Sequence, residues 1–485
     1  MIRLIVVAML TGMMVISGCK TFETEKGISP LTGMPENFSN TMAPQKPIEP
    51  DAVASGWFFF NSDELNALID DALIHNFEIT GLKTKIAQEE ARLKKEEAGF
   101  FPDLGFSLGG SKKGTQVKKS NSQSSTYDGS HSWDAALTSS YTADVWGELE
   151  AGKKSQDLTL TAARLDLNAS TLEVSSQVAQ AWIDIIASRK QKEILDQQIK
   201  INLTLLELQK LRFANGKANA LDVSQQREAL AQASSQAPLL EKQTQLLLNG
   251  LAFLSGKTAI GSMVVNTRAL PEPDPFFTAG IPSDLLRNRP DIQAAMMRLQ
   301  SSKWDISQAK ADLLPSFSLT AQALFSSGKL DLLFQNWVAS LAASIAGPIF
   351  DAGLRAAEVE RVKAVAEEQA NLYAKAVSSA IREVEDSLVS VLKQKEYIRL
   401  LEEELVVARL TLKDAMVQYR NGQSSYLSYL AAWTGIERLE RQLIEEQATY
   451  LKLRVGLSTA LGWQSAENRP ENIQSKIDKV LEYKE

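Results

Sequence analysis

Few side chains in this 485-residue sequence have chemistry to offer. Its single cysteine, Cys19, stands too near the N-terminus to be a buried catalytic thiol. Two histidines, His75 and His131, cannot join one thiol in a zinc site of the usual four-ligand kind. The net charge of -7 leaves no basic footprint for nucleic acid. No constellation supports an enzyme, and no cofactor is expected.

Residues 1–18 read as an export signal. Arg3 supplies positive charge, and the apolar run Leu4 to Val15 is too short for a bilayer helix of about 20 residues. The run closes on Ile16-Ser17-Gly18-Cys19, which resembles the lipobox of bacterial lipoproteins. The resemblance implies cleavage before Cys19 and acylation of its thiol and new amino terminus. Lys20 follows, and without an Asp there the sorting pattern of such lipoproteins implies the outer membrane. An ordinary signal peptide with an incidental cysteine is the plainer alternative. Residues 19–60 read as an extended, lipid-anchored linker rich in Pro, Thr, Ser and Asn.

The elements beyond it come as one layout written twice. In the first repeat, 61–256, helical patterning starts at the cap run Asn61-Ser62-Asp63-Glu64 and stops before Pro102. Strands follow at about 103–110 and 132–146, where Leu104, Phe106 and Leu108, then Trp133, Ala135, Leu137 and Tyr141, alternate with small or polar residues. Residues 111–130 hold few apolar side chains and read as a solvated loop. Lys112, Lys113, Lys118 and Lys119 lie in it, as a charge run on such a loop commonly does.

A long helix is expected over 148–214, about 100 Å at 1.5 Å per residue, ended by Asn215-Gly216, with a return helix over 221–254. A proline-rich linker, 257–285, leads to the second repeat, 286–463. There the strands fall at about 316–326 and 336–346, the long helix at 354–420, the turn at Asn421-Gly422 and the return helix at 425–461. Val384, Val391, Ile398, Leu401, Leu405, Ala408, Leu412 and Ala415 keep a coiled-coil seam of steps of three and four. A charged tail, 464–485, closes the chain. Duplication is the strongest structural signal present.

Strands of this length and two-faced pattern suit a membrane, and Trp133, Trp146 and Trp337 near their ends suit its interfaces. Four strands cannot close a barrel; twelve, from three copies, leave room for a pore. The fold class expected is mainly α with a β-barrel portion, a small soluble sheet being the alternative reading of the four strands.

The order of elements over nearly the whole mature chain resembles the TolC-like outer-membrane efflux family. The stretch Gly280-Ile281-Pro282-Ser283-Asp284-Leu285-Leu286-Arg287-Asn288-Arg289-Pro290-Asp291-Ile292 is similar to a signature of its lipoprotein branch, the exit ducts of RND-type pumps. The resemblance implies a homotrimeric channel in outer-membrane lipid, a trimeric 12-stranded outer-membrane β-barrel on a long periplasmic α-helical barrel, completed by a periplasmic adaptor and an inner-membrane RND-type pump that supplies the energy. It implies that the turns at Asn215, Gly216, Asn421 and Gly422 form a periplasmic tip holding an iris-like gate. Asp222 matches a gating Asp, and Tyr419 a tyrosine that bonds to it. An Asp in the first turn of a helix is also favoured there by the helix dipole alone. Where the family pattern has an Arg and two pore-facing Asp residues, this chain has Ser424, Ser428 and Ala431. Two rivals remain at this point: the duct of a type I protein-secretion system, and a lipid-anchored coiled-coil tether without a pore.

Overall fold

The computed structural model describes residues 35, 37–39, 60, 62–118, 125–258, 263–272 and 282–462. Cys19, the signal segment, Lys119, the charged tail, most of the first linker and residues 259–262 and 273–281 of the second lie outside them. The elements run α1 (Asp63–His75), α2 (Phe77–Ala98), β1 (Asp103–Lys118), β2 (Ser125–Ala143), α3 (Glu148–Ala214) and α4 (Ala220–Leu254). The second repeat gives α5 (Leu285–Asn288), α6 (Pro290–Ala311), β3 (Ser316–Ser327), β4 (Trp337–Ala346), α7 (Leu354–Arg420) and α8 (Tyr426–Ala460). No helix of the described residues is long and apolar enough to cross a membrane.

The chain divides into two compact units. One holds the described parts of Lys85–Ala163 and Ala294–Ala374, and at its heart is an antiparallel sheet ordered β1-β2-β3-β4. The register sorts the side chains by face. Phe106 stands opposite Leu137, Leu137 opposite Ala323, and Ala323 opposite Ala339. Leu108, Ala135, Phe325 and Trp337 make the next such row. Because side chains alternate across a strand, these rows compose one apolar face. On the other face Ser318 and Ser344 share a 2.6 Å hydrogen bond, and Ser326 donates to Asp134 at 2.6 Å.

Three expectations about the strands need correction. The 111–130 segment is not simply a loop: the β1–β2 ladder continues to Lys118 opposite Ser125. Main-chain pairing needs no apolar side chains, so a polar ribbon can extend past the region that periodicity detects. In consequence Trp133 is not at a strand end but inside β2, over Gly110, where an added Cβ would lie 2.7 Å from the indole. Trp146 lies beyond β2, and its Nε1 donates to the Pro315 carbonyl at 2.7 Å, joining the two repeats at the foot of the sheet. Trp337 does open β4.

The other unit holds the described parts of Leu31–Thr84, Arg164–Gln293 and Lys375–Glu485. Ser62 caps α1, its Oγ accepting from Leu65 N at 3.3 Å, and α1 buries Leu65, Ile69, Ala72 and Leu73 on one stripe. Each return helix is tied to the start of its own repeat. Asn76 Nδ2 donates to the Leu254 carbonyl at 2.9 Å, and Arg289 Nη1 to the Ala460 carbonyl at 3.0 Å. Gly256 (φ 63°) and Gly462 (φ 75°) follow, each so close to the chain before it that a Cβ would strike His75 O or Asn288 O. The expected seam is present, with Leu401 and Leu405 packed on Ile436 and Leu439 of α8, flanked by Ala408 and Leu412.

A candidate gate at the helix turns

The two long helices end alike. Gly216 (φ 66°) and Gly422 (φ 71°) take the left-handed conformation that glycine tolerates. Lys217 N then donates to Arg212 O at 2.8 Å, and Gln423 N to Gln418 O at 2.9 Å, closing a Schellman turn after each helix. Asn215 Nδ2 adds a bond to Leu211 O at 2.7 Å. Asn215, Gly216, Asn421 and Gly422 are exposed.

Past the first turn, Asn219 and Asp222 form a reciprocal capping box. Asp222 N donates to Asn219 Oδ1 at 2.8 Å, and Asn219 N to Asp222 Oδ2 at 3.1 Å. The equivalent pair in the second repeat is Ser425 and Ser428, whose hydroxyls lie 3.3 Å apart while α8 lacks a side-chain cap.

The expected bond between Tyr419 and Asp222 is therefore not formed. The Asp222 carboxylate is engaged by its own helix N-terminus. The Tyr419 phenol turns instead to Gln209 of α3, donating to Oε1 and accepting from Nε2, both at 3.2 Å. Its ring stacks on Tyr429 with centroids 6.0 Å apart, and lies 5.3 Å from Tyr426. The Arg212 guanidinium sits 4.7 Å over the same ring, a cation–π contact between the last turns of α3 and α7. The cation at this ring therefore comes from the first repeat, and position 424 is a serine. The Ser424 Oγ is buried without a hydrogen-bond partner, as is Arg212 Nε. Ser428 and Ala431 are exposed.

A buried polar seam leads away from this cluster. Gln198, Asn202 and Gln209 lie on one face of α3 at steps of four and seven, and all are buried. The Tyr426 hydroxyl donates to Gln226 Oε1 of α4. Gln226 Nε2 donates to Asn202 O and Oδ1, both at 2.9 Å. Asn202 Nδ2 donates to Glu437 Oε1 of α8 at 2.7 Å, and Trp433 Nε1 to the same oxygen at 2.8 Å. Gln198 Nε2 donates to the Glu437 carbonyl at 3.1 Å and accepts from Arg441. Burial pushes the Glu437 carboxyl above its ordinary range, against the hydrogen bonds from Trp433 and Asn202. Burial also raises Tyr426 and Tyr429 and lowers Arg441. Of these groups the sequence pointed only to Tyr419. A run of Gln and Asn at heptad spacing within an apolar helix face is the signal that marks the others.

The family model for outer membrane efflux proteins matches residues 68–257 and 281–463, the two repeats in turn. The pyoverdine export outer membrane protein OpmQ of Pseudomonas aeruginosa is 29% identical over 420 residues, covering 84% of this chain and 87% of that protein. The nodulation protein T of Rhizobium leguminosarum bv. trifolii is 27% identical over 418 residues, covering 84% and 88%. Among solved structures, the open-state outer membrane channel MtrE of Neisseria gonorrhoeae aligns with a TM-score of 0.80 at 21% identity, over 92% of this chain and 99% of that one. The outer-membrane channel OprN gives 0.79 at 21%, over 93% and 100%. These two share the fold. With both repeats matched, the chain belongs to the outer membrane efflux protein family.

Proposed function

We propose that the chain is the exit duct of a tripartite efflux system, conducting passively what an inner-membrane RND-type pump and a periplasmic adaptor deliver. The carrying observation is the four-stranded sheet, apolar on one face, whose edges β1 and β4 have no partner strand among the described residues. Trp337, Leu341 and Ile345 of β4 are exposed, as are Leu104, Phe106 and Leu108 of β1. An unpaired, apolar edge is unstable in water and in lipid alike. Three copies joined β4 to β1 would satisfy every edge in a 12-stranded barrel with room for a pore. Acylation of Cys19 would anchor the assembly to the same membrane. The relatives' names tell of pyoverdine export and of toluene efflux. The cargo of this duct is set by its pump. At the tip, we propose that Tyr419, with Gln209 and Arg212, holds the resting gate, with Asp222 stiffening the first turn as its cap.

The purified full-length protein in planar bilayers tests the reading. Conductance from a heat-sensitive trimer is expected. Replacing residues 316–346 by a soluble linker is expected to abolish both, and a trimer surviving that change overturns the barrel. Palmitate label lost in Cys19→Ser checks the anchor.

A further inference from the structure

A carboxylate buried among helices is costly unless it is paired, hydrogen-bonded or neutralised by a proton. Glu437 is 7% exposed and lies at the junction of α8 with α3. Its Oε1 takes both donors described above, Asn202 and Trp433, and the amide of Gln198 grips its backbone carbonyl. Burial acts on it most strongly, while the charge of Arg441, one turn on, favours the ionised form and that of Glu440 opposes it. On its own helix, Arg441 is committed to Gln198, Glu440 is paired with Arg409 of α7 at 3.0 Å, and Tyr429 lies near. From α3 the facing groups are the neutral Gln198 and Asn202. Beside the carboxyl a cleft of about 550 Å³, lined by Trp433, Glu440, Arg409, Ile194 and Leu412 among others, gives protons a path to it.

We propose that Glu437 is the proton-sensitive fastening of α8 on α3: protonated it holds the two helices docked, and ionised it favours their separation into water. The reasoning is linkage. The docked state disfavours the charge, so its carboxyl binds a proton more tightly than the same group in water. Docking is therefore strengthened as pH falls through the docked-state value and weakened as pH rises through it. This rests on the reading of the chain as a duct whose tip helices move. There, acid is expected to tighten the resting channel.

The experiment compares wild type, Glu437→Gln and Glu440→Gln at pH 5 and pH 7.5, by single-channel recording and by hydrogen exchange of α8 amides corrected for intrinsic rate. Wild type and Glu440→Gln are expected to open several-fold less often at pH 5, with slower exchange around Glu437. Glu437→Gln keeps the volume and the acceptor oxygen, and is expected to behave at both pH values as wild type does in acid. An exchange response to pH that is absent in wild type, or unchanged in Glu437→Gln, overturns the proposal whatever the conductance. A Glu437-dependent exchange response without any channel would sink the duct reading and leave the fastening standing.

Discussion

The two repeats use helices of mostly equal length around unlike chemistry. In each the helix just before the strands has 22 residues, the long helix 67 and the return helix 35, although the helix that opens the repeat has 13 residues in the first and 4 in the second. Glycines of positive φ mark the same points in each: Gly147 and Gly353, Gly216 and Gly422, Gly256 and Gly462. The side chains at those points have diverged. The first repeat closes on an amide, Asn76, and the second on a guanidinium, Arg289, which also meets Asp291 at 2.7 Å and Glu383 at 2.8 Å. The first return helix opens with an Asn–Asp box and the second with two serines. What is held in common is backbone geometry, which a glycine or a helix length fixes directly. Polar groups that satisfy the same carbonyl are interchangeable as long as one is present.

Breaking the common backbone is expected to have the largest effect. Gly256→Ala and Gly462→Ala must enter the left-handed region and collide with a neighbouring backbone, whereas Gly216→Ala meets open space. Thermal unfolding is expected to show losses above about 3 kcal/mol for the first two and about 1–2 kcal/mol for Gly216→Ala. Equal losses at all three sites would remove the claim that closure depends on contact.

Next come the two closures themselves. Arg289→Met strands a carbonyl and two carboxylates, and is expected to cost about 2–3 kcal/mol. Asn76→Ala removes one carbonyl contact and a helix cap, for about 1–2 kcal/mol. Denaturant titration of the detergent-solubilised protein orders the pair, and a milder Arg289→Met would contradict the reading. At the return-helix starts, Asn219→Ala is expected to cost about 1 kcal/mol, and Ser425→Ala almost nothing because its hydroxyl caps no backbone amide. Hydrogen exchange at the first turns of α4 and α8 reads this difference.

The smallest expected effect is a coupling. Tyr419→Phe loses the neutral bond to Gln209, about 1 kcal/mol, and Asp222→Asn perturbs only its own cap. A double-mutant cycle on resting conductance should find them additive within about 0.5 kcal/mol. A larger coupling would restore the direct contact that the sequence led one to expect.

The helices were legible in the sequence almost to the residue. Long proline-free runs bounded by Asn-Gly leave few alternatives, and α3 and α7 begin and end where that reading puts them. The apolar faces of the strands were legible for the same reason of period. The length of the β1–β2 ribbon was not, because its outer rungs are held by backbone bonds between polar residues. The gate was half legible. Tyr419 stands out as an aromatic at a helix end, but its partners Gln209 and Arg212 lie some two hundred positions earlier. Asp222 illustrates how one residue type serves two purposes: the same carboxylate that would hold a gate also caps a helix, and the local Asn219 reaches it first.

The ribbon's length has a consequence for the cell surface. A membrane-spanning strand needs about 9–11 residues, whereas β1 has 16 and β2 has 19. β3 and β4, at 12 and 10, are close to what the hydrocarbon alone requires. In an assembled duct the surplus rungs of the first repeat would stand clear of the lipid as three stiff, polar posts carrying Lys112 and Lys113. Those rungs are then free of the apolar alternation that a bilayer would impose on the shorter strands β3 and β4.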